Sequence, residues 1–288
     1  ILHSLSIRPC GWLATFSAFH PHILSVMGSD ILINPHISVF RKYLTSLTLK
    51  KADLVTAESK TVLKQATKFG ALGMNILLWQ WGINLNEFNS YIDSFSLKKE
   101  LGLDDCFVIL STRNFKSIYN IDTIIKSIPI VLSRIPNACF LFKGYKWDNE
   151  YKKKLFDLIN TLEIPNCRVR FIDYVEYEKM PLFYSLADIF VSVPSSDSLS
   201  VSLLEAMACG AVPIVSDLPA NREVITNGKN GYIVPVHDED ALAEAIIYLY
   251  YDKEIRISMR RKNLEFVAEY ADEKKHLARM EDIYYKMS

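Results

Sequence analysis

Residues 191–210 read Val-Ser-Val-Pro-Ser-Ser-Asp-Ser-Leu-Ser-Val-Ser-Leu-Leu-Glu-Ala-Met-Ala-Cys-Gly. A strand ends at Pro194, a loop of small residues follows, and a helix begins near Ser200. Strand–loop–helix units of this kind build open parallel sheets, whose ligands collect at the carboxyl ends of the strands. The free N–H groups of the first helical turn, with the helix dipole behind them, form a seat for a diphosphate. Ser200 and Ser202 add hydroxyl donors, Asp197 stands on the loop, and Glu205 lies a turn inside the helix. Two carboxylates so placed can grip hydroxyls at both ends of a diphosphate, those of a sugar and those of a ribose. Acidic pairs eight residues apart also arise by chance, about four times in a chain with this many acids. On the residues alone two readings stand: a nucleotide-sugar site, or Asp197 and Ser200 as helix caps with Glu205 on a solvated face.

Outward from this stretch, short β-branched runs alternate with segments of helical period, the pattern of an α/β protein with parallel sheets. Strands are expected at 107–112, 138–143, 169–172, 189–193, 212–215 and 231–234. Helices are expected at 122–134, 149–163, from Glu178, near Ala220 and at 238–250. Asp238 is placed to cap the last of these, with Ala241, Leu242, Ala245, Ile246 and Leu249 on one face. Together they make a complete doubly wound sheet. The first part of the chain offers three strands or so, at 22–27, 53–57 and 76–79, with His3 in a further short strand-like run, and helices at 39–52 and from Ser59. That is short of the usual five or six strands of a Rossmann-like unit, so this domain is expected to be incomplete. The polar stretch 86–96 suggests a partial N-terminal domain at 1–92 and a second domain at 93–270. The charged helical tail from Glu254 ends in a helix at 271–288.

The chain has 288 residues, enough for about two domains. Lys and Arg total 33 and Asp and Glu total 33; zero net charge gives no field to hold a polyanion, which argues against nucleic acid as a partner. Cys10, Cys106, Cys139, Cys167 and Cys209 form an odd set with no C-x-x-C pair, read as buried free thiols in a reducing compartment. His20, Pro21 and His22 with His36 lack zinc spacing, so no metal is expected. These histidines read as loop or strand-edge residues. No apolar run reaches the ~20 residues of a membrane span, and no signal peptide opens the chain. Ile1 is not an initiator, and the chain starts as if cut from a longer one.

Pro194-Ser195, Asp197 and L-L-E-A-M-A-C-G at 203–210 resemble the P-S…E-x7-E-A-M-A-x-G signature of the retaining GT-B glycosyltransferases of family 4. Flanking segments extend the resemblance: Ala187-Asp188-Ile189-Phe190-Val191 before it and Gly210-Ala211-Val212-Pro213-Ile214-Val215 after it. Asn221-Arg222-Glu223-Val224-Ile225, Asn227-Gly228 and Asn230-Gly231-Tyr232 follow in the same way. Ala52-Asp53-Leu54-Val55 with Ser59, and Trp81-Gly82-Ile83-Asn84 with Phe88, match features late in the family's first domain.

The resemblance implies a GT-B architecture of two Rossmann-like domains facing across a cleft, the first lacking about 70–90 upstream residues if the family's domain size holds. It implies transfer of a sugar from a nucleotide-diphosphate donor to a hydroxyl with retention, in glycan or polysaccharide assembly, with no cofactor beyond the donor substrate. Glu205 matches the Glu that binds the donor ribose, and Asp197, shorter by a methylene, matches the one that contacts the donor sugar. Ser200, Val201 and Ser202 match the helix start that holds the phosphate, and Arg113 matches the family's cationic clamp. The family's second cation, a Lys, is replaced near Tyr119-Asn120, leaving Lys116 or the Tyr119 hydroxyl as stand-ins, and Lys143 reaches the same sheet edge. Asp30, after the strand at 22–27, either caps the next helix or touches the acceptor; Met27-Gly28 stand where the family carries a His. The acceptor expected is a sugar or a lipid-linked glycan, and the location cytoplasmic. Basic clusters at 152–154, 260–262 and 274–275 leave peripheral membrane contact open. Two alternatives remain: a nucleotide-sugar-binding remnant without transfer, and a GT-B-fold epimerase.

Overall fold

The computed structural model describes every residue except Lys146, Trp147 and the side chain of Met74. Among the described residues ten strands form two parallel sheets. The first holds β1 (Leu2–Ser4), β2 (His22–Val26), β3 (Leu54–Ala57) and β4 (Ile76–Leu78), in that order. The helices of this part are α1 (Trp12–Ser17), α2 (Ser29–Leu32), α3 (Val39–Lys51) and α4 (Lys60–Lys68). The second sheet holds β5 (Phe107–Ser111), β6 (Ala138–Lys143), β7 (Val169–Ile172), β8 (Ile189–Ser192), β9 (Val212–Ser216) and β10 (Tyr232–Val234). Its order is β10-β9-β8-β5-β6-β7. The helices around it are α5 (Phe95–Glu100), α6 (Ile121–Arg134), α7 (Asn149–Thr161), α8 (Met180–Ser185), α9 (Val201–Cys209), α10 (Glu239–Tyr251) and α11 (Lys253–Tyr270). The last helix, α12, runs Glu273–Met287.

The chain divides into two compact units. Unit 1 comprises Ile1–Gly82, Ser196–Ser200 and Ala271–Ser288; unit 2 comprises Ile83–Ser195 and Val201–Tyr270. Residues 83–92, expected in the first domain, group with unit 2 because Phe88 packs on Tyr177 and Tyr184 and the Ser185 hydroxyl donates to the Ile92 carbonyl. In unit 1 the α12 segment is tied to the sheet by the Trp79 indole N–H, which donates to His276 O at 3.0 Å, and by a 2.6 Å bond between His3 Nδ1 and the Tyr284 hydroxyl.

The central strands β5, β6 and β8 of unit 2 are mainly apolar and buried because helices cover both faces of a parallel sheet. Ile109 on β5 sits opposite Phe140 on β6 and Ile189 on β8, and all three are buried. Several of the polar residues that open helices cap them. Ser59 accepts from Val62 N, Asp148 from Tyr151 N and Asp238 from Ala241 N. Leu242, Ala245, Ile246 and Leu249 of α10 face inward as its period requires.

The winding reverses direction between β5 and β8. At such a switch point the loops after the two central strands diverge and leave a crevice at their carboxyl ends. Here those loops are 112–120 and 193–200.

Several expectations are corrected. The helix expected near Ala220 is a single turn at Asn221–Glu223, because the Asn221 side chain turns back to bond Ser216 O. The sheet of unit 1 has four strands against the three or so expected, because the strand-like run around His3 forms β1 and pairs with β2. His22 is no edge residue; it lies buried between β1 and β3 and bonds the Ser4 hydroxyl. All five cysteines are free, but only Cys139 and Cys209 are buried.

Gly210 ends α9 at φ +92°, and a Cβ there would stand 2.5 Å from the Arg260 guanidinium. Gly210→Ala therefore carries both backbone strain and a displaced arginine. It is expected to lower stability by about 1–3 kcal/mol in a denaturant titration; an unchanged midpoint would refute this.

Candidate active site

In unit 2 the loop after β5 is pinned to the loop after β8. Asn120, at φ 50°, turns the chain into α6, and its amide donates to Val193 O and Ser195 Oγ, each at 2.9 Å. Ser195 N donates to Ile118 O at 2.9 Å. Asparagine tolerates this left-handed backbone better than most residues. The two loops of the switch point thus form one hydrogen-bonded rim.

Glu205 sits behind that rim in the second turn of α9. It is only 5% exposed, which removes the solvated-face alternative. The Tyr177 hydroxyl donates to Oε1 and the Tyr184 hydroxyl to Oε2, both at 2.8 Å. Burial pushes the Glu205 carboxyl above its ordinary range, against the two hydroxyls and the charge of Lys143. Thr112 Oγ1 lies 3.2 Å from the Tyr184 hydroxyl, so the end of β5, α8 and α9 meet at one polar point. Lys143, at the end of β6, is half-buried with its ammonium 5.8 Å from the centre of the Tyr145 ring. Its pKa is lowered by burial, with Tyr145 and Glu205 working the other way.

Arg113 follows β5 and lays its guanidinium 4.3 Å from the centre of the Tyr119 ring. This stacking fixes a planar cation at the strand end and brings together two of the expected residues. Lys116 is exposed on the same loop. Val201 and Ser202 open α9, the first exposed and the second half-buried.

Unit 1 contains Asp197, Ser200 and Asp30. Asp197 is half-buried and Ser200 buried, and Asp197 Oδ1 accepts from Ser198 N at 3.0 Å. Asp30 does not cap α2. It lies inside that short helix, buried, and its Oδ2 accepts Ile7 N at 2.9 Å while Oδ1 is buried with no hydrogen-bond partner among the described residues. Burial raises its pKa to about 6. Beside it stands Glu58, at the end of β3, whose Oε2 accepts the Ser198 hydroxyl at 3.1 Å. Burial, with the charges of Asp30 and Asp197, raises Glu58 to about 7. His3 bonds Ser25 Oγ through Nε2 at 2.8 Å as well as Tyr284. Among the described residues no cluster of three His, Cys, Asp or Glu is arranged to hold a metal ion, and no helix is long and apolar enough to cross a membrane.

Sequence reasoning missed Glu58, Thr112, Tyr177 and Tyr184. Each acts through a contact made by distant segments, and none carries a spacing that a single sequence reveals. Asn120 could have been found: an Asn immediately before an apolar helical run is a turn signal.

An α/β chain of two parallel sheets with this rim has the GT-B fold. Over 99% of its length it superposes on Anabaena HepE in complex with UDP and glucose, with a TM-score of 0.88 at 18% identity, covering 77% of that chain. The pneumococcal O-GlcNAc transferase in complex with UDP and GlcNAc superposes with a TM-score of 0.76 at 18% identity over 97% of this chain and 55% of its own. Residues 93–266 match the glycosyl transferases group 1 model, and the chain belongs to that family. Among curated relatives, the N-acetyl-alpha-D-glucosaminyl L-malate synthase of Bacillus anthracis is 25% identical over 93% of this chain and 67% of its own length. The phosphatidyl-myo-inositol mannosyltransferase of Mycolicibacterium smegmatis is 28% identical over 51% of this chain and 36% of its own. The chain thus spans between about a third and two thirds of these relatives.

Proposed function

We propose that the chain binds a nucleotide-diphosphate sugar and transfers its sugar to a hydroxyl acceptor, with retention, in glycan or polysaccharide assembly. The observation that carries the reading is Glu205. It is a buried carboxylate held by two tyrosine hydroxyls at the carboxyl ends of a parallel sheet, inside the family-matched region. Such a group is costly to bury without a task and is pre-shaped to accept hydroxyl hydrogens.

Glu205 accepts the ribose hydroxyls. The amides of Val201 and Ser202, with the Ser200 and Ser202 hydroxyls, hold the diphosphate. Arg113, stacked on Tyr119, with Lys116 and Lys143, meets its charge; Asp197 attends the donor sugar, and Asp30 serves the acceptor side. In the transfer the bond from the anomeric carbon to the phosphate oxygen breaks while the acceptor oxygen bonds that carbon on the same face. The acceptor proton passes to the departing phosphate, whose charge is met by groups already fixed in place. The acceptor is a sugar or a lipid-linked glycan.

UDP-glucose and UDP-GlcNAc lead a panel of nucleotide sugars for thermal unfolding, since relatives of this fold hold UDP with glucose or GlcNAc. A donor at 100 times its Kd stabilises by about 2.7 kcal/mol, or a rise of about 5–10 °C in Tm. Acceptor-dependent release of the nucleoside diphosphate then reports transfer. A panel in which no nucleotide sugar raises Tm would overturn the reading.

A further inference from the structure

The carboxyl ends of β2 and β3 form a seat for one residue of the segment that leads into α9. A Cβ on Gly28, just after β2, would stand 2.9 Å from Ser198 Oγ and 3.3 Å from Ser198 N, so only a bare backbone admits this side chain. From the end of β3, Glu58 Oε2 accepts the Ser198 hydroxyl at 3.1 Å. Ser198 is buried, and its N–H is donated to Asp197 Oδ1 at 3.0 Å, so one residue ties Glu58 to the orientation of Asp197. The charged groups that act on Glu58 are Asp30 from α2 and Asp197 from the 196–200 segment.

Resting on the donor reading above, we propose that Glu58 is a positioning residue that holds the Asp197-bearing segment through Ser198. Its partner is a hydroxyl, so an uncharged acceptor in the same place also serves. Three neighbouring carboxyls cannot all be ionised in a half-buried corner without mutual repulsion. Burial and the two aspartates bring Glu58 to about 7, so below neutrality it is protonated and still accepts the Ser198 hydroxyl through its carbonyl oxygen. Above neutrality its charge pushes on Asp197 and disturbs the segment. A carboxyl whose folded pKa is raised contributes stability that is complete below the ordinary carboxylate range and is lost as pH rises through the folded value. For Glu58 that loss runs from about pH 4.5 to beyond 7.

The test uses the full chain as the wild type, Glu58→Gln, Glu58→Ala and Ser198→Ala, each checked by thermal unfolding. In 15N-labelled protein the Ser198 amide signal is expected to shift with a midpoint near pH 7 in the wild type and to stay flat in Glu58→Gln. This readout needs no donor. By calorimetry at pH 6, Glu58→Ala and Ser198→Ala are expected to bind a nucleotide sugar about tenfold more weakly, and Glu58→Gln within about twofold of wild type. Between pH 6 and 8 donor affinity is expected to fall in the wild type and not in Glu58→Gln. A Ser198 amide that ignores Glu58, or a Glu58→Ala variant of wild-type affinity, overturns the positioning role. A chain that shows the amide titration but binds no nucleotide sugar overturns the donor reading and leaves the Glu58–Ser198 link standing.

Discussion

Glu205→Ala is expected to weaken nucleotide-sugar binding by on the order of a hundredfold, the loss of two charge-assisted hydrogen bonds at about 1.5 kcal/mol each. Glu205 is pre-organised for this task. Tyr177 and Tyr184 hold one carboxylate oxygen each, so little side-chain freedom is left to lose on binding. The same bonds mean that alanine also strands two tyrosine hydroxyls, although Tyr184 retains Thr112 as a neighbour. A companion loss of about 1–3 kcal/mol in folding stability is therefore expected. Calorimetry at a temperature where both proteins are folded separates the two effects. Glu205→Gln, which keeps an acceptor oxygen and loses the charge, is expected to fall between the wild type and alanine. Equal affinity for wild type and Glu205→Ala would remove Glu205 from the ribose role.

Arg113→Ala is expected to weaken UDP by about 10- to 100-fold while changing the affinity for uridine by less than about twofold. The distinction follows from chemistry: a guanidinium meets the charge of a diphosphate and has no claim on the nucleoside. Its stacking on Tyr119 fixes the direction of the fork, so Arg113→Lys, which keeps charge but not planarity, is expected to recover only part of the loss. Tyr119→Phe keeps the ring face and is expected to bind UDP as the wild type does, if the tyrosine acts as a platform. A Tyr119→Phe variant as weak as Arg113→Ala would instead assign the hydroxyl a direct contact. Equal losses for UDP and uridine in Arg113→Ala would argue against any diphosphate contact.

The second sheet was legible in the sequence because its strands are buried on both faces and read as short apolar runs bounded by turns, as at Phe107–Ser111 and Ala138–Lys143. The cap at Asp238 was equally legible, since capping is a local arrangement between a side chain and an amide a few residues on. What a linear reading misses is the partner supplied by another element. Nothing near Glu205 announces that Tyr177 and Tyr184 converge on it. Asp30 looks like a cap because it follows a strand and a glycine, yet it bonds the amide of Ile7, far earlier in the chain. The single turn at Asn221–Glu223 fails to become a helix for a similar reason: Asn221 spends its amide on Ser216 O. Glu58 is the largest omission. Its surroundings depend on β2 and the 196–200 segment lying against β3, an arrangement set by the sheet of unit 1 and not by any motif.

The most direct measurement is a crystal structure of the chain with a bound nucleotide-diphosphate sugar. The expected density has the ribose hydroxyls on the Glu205 carboxylate, the diphosphate at the amides of Val201 and Ser202, and the Arg113 guanidinium within hydrogen-bond distance of a phosphate oxygen. A nucleotide seated elsewhere, with the Glu205 oxygens still closed by Tyr177 and Tyr184 alone, would contradict it.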